Sequence, residues 1–294
     1  MKILLTGRDG QVGFALHKKL SPLGEVIATN RQTLDLLNTD LVMRFVDELR
    51  PDMIINAAAY TAVDKAESEP TLAQQMNVLA PKVLAEKASE LNIPLVHFST
   101  NYVFDGLKKE AYEEDDPTHP LSVYGKTQAQ GDVAVKQHSK HIILRTSWVF
   151  GTHHHNFLNT LLRLASERDQ LSMVSDQWGH PTSVSTLSEV TFKIVDSLFK
   201  HSNFKDYGIY HVVNEGETNW YDYALFILRE AKAFGFPIKV EPHSIKSILT
   251  SDYPAKASRP LNARLNTDKL KKTFMLELPH WQAEVKKVLS LLPH

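Results

Sequence analysis

Cysteine is absent from this sequence of 294 residues. Its absence excludes disulfide scaffolds, thiolate metal sites and cysteine nucleophiles. Neither sign of charge dominates, because 33 basic residues stand against 34 acidic ones, so we expect no nucleic-acid partner. Apolar runs such as residues 53–59 are far too short to span a bilayer, and the first residues lead into a strand pattern rather than a signal peptide. We therefore expect a cytoplasmic protein with no membrane partner.

Short aliphatic runs alternate with helical patterns through the first half of the chain. The runs comprise residues 2–6, 25–29, 53–56, 95–99 and 142–146. Strands that alternate with helices predict a parallel sheet covered on both faces. After residue 146 helical patterns dominate, at residues 156–167, 186–200, 220–234 and 278–292.

These patterns predict an α/β fold in two parts. Residues 1–150 are expected to form a dinucleotide-binding domain built on a Rossmann-type doubly wound parallel sheet. Residues 151–294 are expected to form a smaller, mostly helical C-terminal substrate lobe, whose short strands near 171–175 and 208–213 return to the sheet. No low-complexity linker separates the two parts, so we expect a cleft between them.

The helical pattern over residues 71–91 contains Pro81, which leaves two interpretations open. Proline lacks the N–H that would bond the carbonyl of Asn77, so the helix is kinked there and this carbonyl is freed. Alternatively, the proline is simply tolerated near a helix start.

A glycine loop, Gly7, Gly10 and Gly13, follows the first strand and opens the first helix. Glycines at such a turn let the backbone approach a pyrophosphate, which then meets the N–H groups of the helix start. With the neighbouring strand ends, the predicted cofactor site comprises Gly7, Gly10, Gln11, Val12, Gly13, Asn30, Arg31, Asp35, Leu36, Ala57, Ala58, Ala59, Tyr124 and Gln128.

The second strand ends in Asn30 and Arg31, which bears on the choice of cofactor. An acid at this place would hold the ribose hydroxyls of NAD, whereas a basic side chain suits the extra phosphate of NADP. Arg31 therefore favours NADP(H), with NAD(H) possible if this arginine is only a surface residue.

Two loops that we expect at the carboxyl edge of the sheet carry a hydroxyl and a phenol, from Thr100 and Tyr124. Thr100 is suited to bind a substrate carbonyl oxygen, and Tyr124 to deliver a proton as hydride arrives from the cofactor. The run His153, His154 and His155 is interpreted as a solvated loop, because consecutive residues do not converge easily on one metal ion.

Several ordered motifs resemble one family along nearly the whole chain. They lie at residues 56–67, 99–106, 145–151, 175–182, 257–260 and 264–266. The chain resembles the extended short-chain dehydrogenases/reductases, and among them the dTDP-4-dehydrorhamnose reductase family. The resemblance implies reduction of the 4-keto group of dTDP-4-dehydro-6-deoxy-L-mannose to dTDP-L-rhamnose, a precursor of surface polysaccharide such as lipopolysaccharide.

By position in these motifs, the resemblance implies catalytic roles for Thr100, Tyr124 and the residue at 128. It implies that the dTDP-linked deoxysugar contacts Thr61, Tyr102, Val103, Trp148, Asn156, Gln177 and Arg259. A guanidinium fork such as that of Arg259 suits a diphosphate. Simple core packing is the alternative for Trp148.

The chain departs from the family pattern at Gln128, where the family has a lysine one helical turn after the tyrosine. That lysine holds the nicotinamide ribose and lowers the tyrosine pKa, and Gln128 is suited only to the first task. Lys126 is no obvious replacement, because residues two apart on a helix point about 200° away from each other. We expect a rate penalty on the order of ten- to a thousand-fold, larger for oxidation than for reduction.

Two further departures concern Asn101 and the first helix. Asn101 stands where the family usually has aspartate, which bears on the hydrogen bonds of Thr100. Some family members form dimers through metal-bound acids on the first helix, but residues 13–17 contain no acid. We therefore predict no metal site and leave open whether the protein is a monomer or a homodimer.

Two other functions remain open on this evidence. One is a non-catalytic NADP-binding regulatory subunit, because the family includes such a protein and Gln128 weakens the case for catalysis. The other is a reductase, epimerase or dehydratase that acts on a different nucleotide-linked keto sugar.

Overall fold

The computed structural model describes residues 1–201 and 203–293, and twelve strands and eleven α-helices lie within them. The strands are β1 (Lys2–Thr6), β2 (Glu25–Thr29), β3 (Met53–Asn56), β4 (Leu95–Thr100), β5 (His141–Thr146), β6 (Val149–Phe150), β7 (Leu171–Val174), β8 (Trp178–Gly179), β9 (Thr182–Ser183), β10 (Gly208–His211), β11 (Thr218–Asn219) and β12 (Ile245–Ile248). The helices are α1 (Gln11–Leu20), α2 (Thr39–Leu49), α3 (Val63–Ala66), α4 (Pro70–Gln74), α5 (Ala80–Glu90), α6 (Val123–Val135), α7 (Phe157–Glu167), α8 (Val184–Lys200), α9 (Trp220–Ala233), α10 (Asp268–Phe274) and α11 (Trp281–Leu289).

A parallel sheet with the strand order β10-β5-β4-β3-β1-β2 organises the first half of the molecule. The chain moves outward from β1 to β2 and then crosses to β3 on the other side, so the winding direction reverses at β1. Register aligns the carboxyl ends, with Thr6 opposite Thr29 and Asn56, and Thr100 opposite Thr146. Ligands of doubly wound sheets bind outside this edge near the reversal point.

Helices cover both faces of this sheet, as the alternating pattern predicts. Helices α1 and α8 pack together on one face, over a core that includes Leu16 and Ile194. Helices α2 and α5 pack together on the other face, and α6 packs beside α5. The predicted α/β fold with a doubly wound parallel sheet is confirmed.

A second apolar core lies in the C-terminal lobe, between α7, α9 and α11. Its fully buried members include Leu158, Tyr223 and Ile227. The second half of the chain is not confined to this lobe. Helix α8 packs against one face of the sheet, and β10 is a strand at its edge.

One of the two short strands expected to return to the sheet does so. Strand β10 pairs with β5 at the sheet edge, from Gly208 opposite Ile142 to His211 opposite Arg145. The prediction for residues 171–175 was wrong, because β7 pairs in parallel with β12 in a separate two-stranded sheet. Its first residue, Leu171, is buried with Ile245 in the core of the lobe, so apolar packing holds this strand away from the sheet.

The predicted irregularity before Pro81 is a π-helical turn at Gln75–Leu79. The N–H of Ala80 bonds the carbonyl of Gln75, and α5 then continues through the proline. The Asn77 carbonyl faces α6, where a Cβ on Gly131 would lie 2.1 Å from its oxygen. Glycine at this point lets the two helices approach closely. Among the described helices, none combines the length and apolar character needed to cross a membrane.

Candidate active site

A cavity of about 630 Å³ opens at the carboxyl edge of the sheet, between the glycine loop and the C-terminal lobe. It is lined by Gly10, Gln11, Val12, Ala57, Ala59, Thr61, Val63, Phe98, Ser99, Thr100, Asn101, Tyr102, Tyr124, Gln128, Thr146, Ser147, Trp148, Val149, His154, His155, Asn156 and Trp220. We call it the sheet-edge cavity.

The glycine loop forms the floor of this cavity in a tight conformation. Gly7 has a φ of +79°, and a Cβ on Gly13 would lie only 2.1 Å from the Gly7 carbonyl oxygen. Helix α1 begins directly after Gly10, with no acid in its first turn. The free N–H groups of this helix start, together with its dipole, make the loop suited to hold a phosphate.

The chain after β2 forms a turn beside the glycine loop. Asn30 donates from Nδ2 to Asp9 Oδ2 at 2.8 Å, and its Oδ1 accepts from the N–H groups of Gln32 and Thr33. Arg31 is exposed on this turn. The turn joins the glycine loop to the place where an adenosine ribose would lie in such a fold.

The predicted cofactor residues after this turn do not share one environment. Asp35 Oδ1 accepts from the Leu37 N–H at 3.1 Å, and Leu36 is buried in the core below the sheet. Neither lines the sheet-edge cavity. The buried Leu36 side chain is therefore not available to a ligand in the sheet-edge cavity.

The chain after β3 presents Ala57 and Ala59 to the sheet-edge cavity, and Ala58 lies outside its lining. Asn56 fixes this segment, because its Oδ1 accepts from Thr6 Oγ1 at 2.6 Å and from the Ala58 N–H at 3.2 Å. Small side chains at 57 and 59 leave room for a ligand next to the glycine loop.

Thr100 and Tyr124 come together in the sheet-edge cavity from β4 and α6. The start of α6 is fixed by Ser122 Oγ, which accepts from the Gly125 N–H at 3.1 Å, and by Glu67, which accepts from the Val123 N–H at 2.8 Å. Burial raises the pKa of Tyr124 to about 12, and the nearby Thr100 hydroxyl opposes this rise. Its phenol is therefore an acid that keeps its proton at neutral pH.

Gln128 lies one helical turn beyond Tyr124 and lines the same cavity. It is only 2% exposed, and its Oε1 has no hydrogen-bond partner among the described residues. Lys126 is exposed, as the helical spacing predicts. The charges that act on the Tyr124 phenol, those of Tyr102 and Asp132, both raise its pKa. No cation among the described residues takes the place of the missing lysine.

Asn101 has a structural explanation in its own hydrogen bonds. Its Oδ1 accepts from Thr100 Oγ1 at 3.3 Å, and its Nδ2 donates to the Ala263 carbonyl at 3.4 Å. A carboxylate at this buried position would be unable to donate to Ala263. The asparagine therefore links the Thr100 hydroxyl to the chain that follows Pro260.

A second cavity, of about 730 Å³, lies in the lobe and shares Trp220 with the sheet-edge cavity. Gln177 and Arg259 line it, together with the cationic side chains of Arg168 and Lys246. We call it the lobe cavity. The shared Trp220 places this space, with its cationic side chains, beside the sheet-edge cavity.

Two stacked indoles form the boundary between the cavities. The rings of Trp148 and Trp220 lie 3.8 Å apart at an interplanar angle of 22°. Trp148 has a φ of +44°, a conformation rare for a bulky side chain. Such strain is concentrated at ligand sites, and it distinguishes Trp148 from an ordinary core residue.

Arg259 is held by Asp64 through two hydrogen bonds, of 3.2 Å and 2.7 Å. Asp64 also accepts from the N–H groups of Lys256 and Ala257, which ties this loop to α3. Hydrogen bonding to Arg259 is the main reason that the pKa of Asp64 is lowered. The guanidinium is thus positioned in advance at the edge of the lobe cavity.

The predicted substrate residues divide between the two cavities. Thr61, Tyr102, Trp148 and Asn156 line the sheet-edge cavity, whereas Gln177 and Arg259 line the lobe cavity. Val103 lines neither, because it is fully buried in a cluster with Phe104, Tyr112, Val213 and Leu265. Its side chain has no surface to offer a substrate in this structure, and we leave it out of the proposed site.

Sequence reasoning missed several residues of the sheet-edge cavity. Ser99 and Thr146 stand at strand ends, and the carboxyl-edge rule was sufficient to find them. Trp220 carries no such signal, because it reaches the cavity from a helix of the lobe. His154 and His155 are exposed, as expected for a solvated loop, yet they also line the cavity. Within the described part of the chain, no group of three or more potential ligands is placed to hold a metal ion.

A doubly wound sheet, a glycine loop at its reversal point and a threonine–tyrosine pair define the class of short-chain dehydrogenases/reductases. The family model described as "RmlD substrate binding domain" matches residues 1–293. A dTDP-4-dehydrorhamnose reductase of Escherichia coli (strain K12) is 42% identical over 297 residues, which cover 99% of this chain and 98% of that protein. The chain belongs to the dTDP-4-dehydrorhamnose reductase family.

Solved structures of two dTDP-4-dehydrorhamnose reductases share this fold along nearly their whole length. The dTDP-4-dehydrorhamnose reductase of Clostridium acetobutylicum has a TM-score of 0.90 at 38% identity and covers 99% of both chains. That of Bacillus anthracis, described in complex with NADP, has a TM-score of 0.89 at 33% identity, again with 99% of both chains covered.

Proposed function

We propose that this protein uses NADPH to reduce the 4-keto group of dTDP-4-dehydro-6-deoxy-L-mannose, which yields dTDP-L-rhamnose. The observation that carries this proposal is the placement of Thr100 and Tyr124 in one cavity with the glycine loop. The neighbouring lobe cavity, with Gln177 and Arg259, is suited to the nucleotide and diphosphate of such a substrate. The family to which the chain belongs supports the same reaction.

The cavity fits a dinucleotide in three respects. The glycine loop leaves no room for a side chain at Gly13, and the start of α1 offers unpaired N–H groups. Unpartnered buried atoms, Ser99 Oγ, Gln128 Oε1 and Thr146 Oγ1, belong to residues of the lining. When bound, the nicotinamide supplies the hydride that reduces the substrate carbonyl carbon.

The residues of this chain account for the rest of the reaction. Thr100 Oγ1 donates a hydrogen bond to the carbonyl oxygen of the substrate, in place of its bond to Asn101. Tyr124 donates its proton to this oxygen, which becomes the hydroxyl of the product. Gln128 is placed to bind the nicotinamide ribose through its side-chain amide. Because the pKa of Tyr124 is about 12, the acid form needed for reduction is present at neutral pH.

The high pKa also predicts a slow enzyme. Proton transfer leaves a phenolate in a buried site, where Gln128 offers no compensating charge. Oxidation of the product requires this phenolate before reaction, so it is disfavoured more strongly than reduction. The preference for NADPH over NADH rests on the exposed Arg31 beside the adenosine end of the loop.

The test is the oxidation of NADPH in the presence of dTDP-4-dehydro-6-deoxy-L-mannose. Turnover is expected in the native protein and a loss of at least a hundredfold in Tyr124→Phe, with Tyr207→Phe as a control outside both cavities. Turnover unchanged in Tyr124→Phe would refute the role of this phenol. For the cofactor, equal affinities for NADPH and NADH that do not change in Arg31→Ala would refute the preference.

A second candidate function is favoured by one observation, the missing cation beside Tyr124. A non-catalytic NADP-binding regulatory subunit needs the glycine loop but not the proton donor. NADPH binding without turnover, in both the native protein and Gln128→Lys, would support this function. A different nucleotide-linked keto sugar is the third alternative, and turnover of such a substrate in preference to the dTDP sugar would support it.

A further inference from the structure

Among the described residues, no lysine, arginine, aspartate or glutamate lines the sheet-edge cavity. A dinucleotide nevertheless brings a negatively charged diphosphate into it. His154 and His155 are the residues of this lining whose side chains can carry a positive charge. Both are exposed, so an incoming ligand can reach their rings, and His154 interacts electrostatically with Asp9 of the glycine loop.

Residues 151–156, which we call the histidine loop, are fastened directly to the first turn of α1, which follows Gly10. Asn156 Nδ2 donates to Gln11 Oε1 at 3.2 Å and to the Gly151 carbonyl at 2.9 Å. The ring of His153 packs on that of Phe14, with 4.1 Å between their centroids. The histidine loop therefore covers the N-terminus of α1, where a diphosphate binds.

The backbone of the histidine loop is held in an unusual conformation. His154 has a φ of +63°, and its carbonyl accepts a hydrogen bond from Asn159 Nδ2 at 3.0 Å. A non-glycine residue in this region is uncommon and is found at ligand clamps. The loop is thus prepared in one conformation before any ligand arrives, which reduces the entropy lost on binding.

From this arrangement we infer that the imidazoles of His154 and His155 donate hydrogen bonds to the diphosphate of the dinucleotide. The inference rests on the proposed function, because it needs the dinucleotide in the sheet-edge cavity. It adds two side-chain donors to the N–H groups of the helix start, although Gln128 offers no charge.

The experiment measures the Kd of three ligands for the native protein and for the double variant His154→Ala/His155→Ala. NADPH and 2′-phospho-ADP-ribose contain the diphosphate, whereas 2′-AMP keeps the adenosine and its 2′-phosphate without it. We expect the double variant to bind the first two about ten- to a hundredfold more weakly and 2′-AMP within about twofold of native. A double variant with lysine at both positions is expected to restore most of the affinity, because each ammonium group again offers N–H donors to the diphosphate.

His17→Ala removes an exposed histidine of α1 outside the cavity lining and serves as the matched control. Unchanged NADPH affinity in the double alanine variant would overturn the inference alone. Equal weakening of all three ligands would also overturn it, because that result indicates a collapsed site rather than a lost diphosphate contact. Failure of the native protein to bind NADPH would instead overturn the proposed function and, with it, this inference.

Discussion

Replacing Gln128 with lysine tests whether the missing cation limits the reaction. The side chain at 128 lines the sheet-edge cavity one helical turn from Tyr124, so a lysine there would bring an ammonium group toward both the phenol and the nicotinamide ribose. The buried Oε1 of Gln128 has no partner among the described residues, so the substitution breaks no side-chain hydrogen bond of that atom.

The magnitude follows from the pKa of Tyr124. Its rise from 10.0 to about 12 corresponds to roughly 2.7 kcal/mol against the phenolate. An opposite charge nearby lowers a pKa by about one to three units, and if about half of the charge has developed in the transition state, the rate gains about three- to thirtyfold. We therefore expect Gln128→Lys to raise the kcat for reduction by this factor.

The assay is NADPH oxidation with the dTDP-linked keto sugar, followed from about pH 6 to 10. In the proposed mechanism Tyr124 acts in its protonated form, and its raised pKa keeps this form present until the pH rises toward about 12. Ionisation of Tyr124 should therefore not change the native reduction rate between about pH 6 and 10. Gln128→Lys lowers the pKa, so its reduction rate should begin to fall within the range. A primary isotope effect with 4-deuterated NADPH shows whether hydride transfer limits the rate.

Two variants of α6 serve as controls for added and removed charge. Gln130→Lys adds the same charge at an exposed position, and Lys126→Gln removes an exposed lysine, so neither should change the rate or its pH dependence. A Gln128→Lys protein no faster than native, although hydride transfer limits the rate in both, would refute the electrostatic reasoning. So would a native rate that falls with a Tyr124-dependent ionisation below about pH 9.

Two further predictions concern the loop and the core. Gly13→Ala should lower both NADPH affinity and thermal stability, because its Cβ would lie 2.1 Å from a carbonyl oxygen of the same loop. Gly10→Ala, whose Cβ has its nearest contact at 3.3 Å, should lose affinity with little change in Tm. Equal losses of Tm in thermal denaturation of the two variants would contradict this prediction. Arg145→Met should lower the free energy of unfolding by roughly 3–5 kcal/mol, because it leaves the buried carboxylate of Asp132 without the guanidinium that lies 3.0 Å from it. The exposed pair of Arg163 is the control, and Arg163→Met should change urea unfolding by less than about 1 kcal/mol; equal effects of the two substitutions would contradict the role of burial.

The sheet was predictable because its information is local. Each of the first five strands is a short aliphatic run that the structure reproduces within about one residue at either end, for example residues 25–29 as β2. Parallel strands buried on both faces must be apolar throughout, and turns and helices must separate them. The carboxyl-edge rule then brought Thr100 and Tyr124 to the cavity of the glycine loop without any knowledge of their contacts.

What the sequence could not supply depends on contacts between distant segments. Within the described residues, strand β7 pairs with β12, and Leu171 lies opposite Ile245. These two segments are more than 70 residues apart in the chain, so the local sequence of β7 does not distinguish this pairing from a return to the sheet. Val103 belongs to the same motif as Thr100, at residues 99–106, but its side chain is buried in an apolar cluster that distant segments of the chain complete. The sequence of the histidine loop predicted only a solvated loop. Its position at the start of α1 depends on the hydrogen bond between Asn156 and Gln11, which are 145 residues apart.

The neutral lining of the sheet-edge cavity connects these observations to the direction of the reaction. A cavity without lysine or arginine near Tyr124 favours the protonated phenol, which is the form that a reductase needs and that a dehydrogenase must first ionise. By our inference, the same neutrality leaves binding of the diphosphate to the α1 N-terminus and the two histidines. In the role that we propose for it, Gln128 separates two tasks that a lysine at this place combines: the glutamine keeps the hydrogen bond to the ribose and loses the stabilisation of the phenolate. This division predicts a site that binds its dinucleotide well and reduces slowly, and whose reverse reaction is slower still.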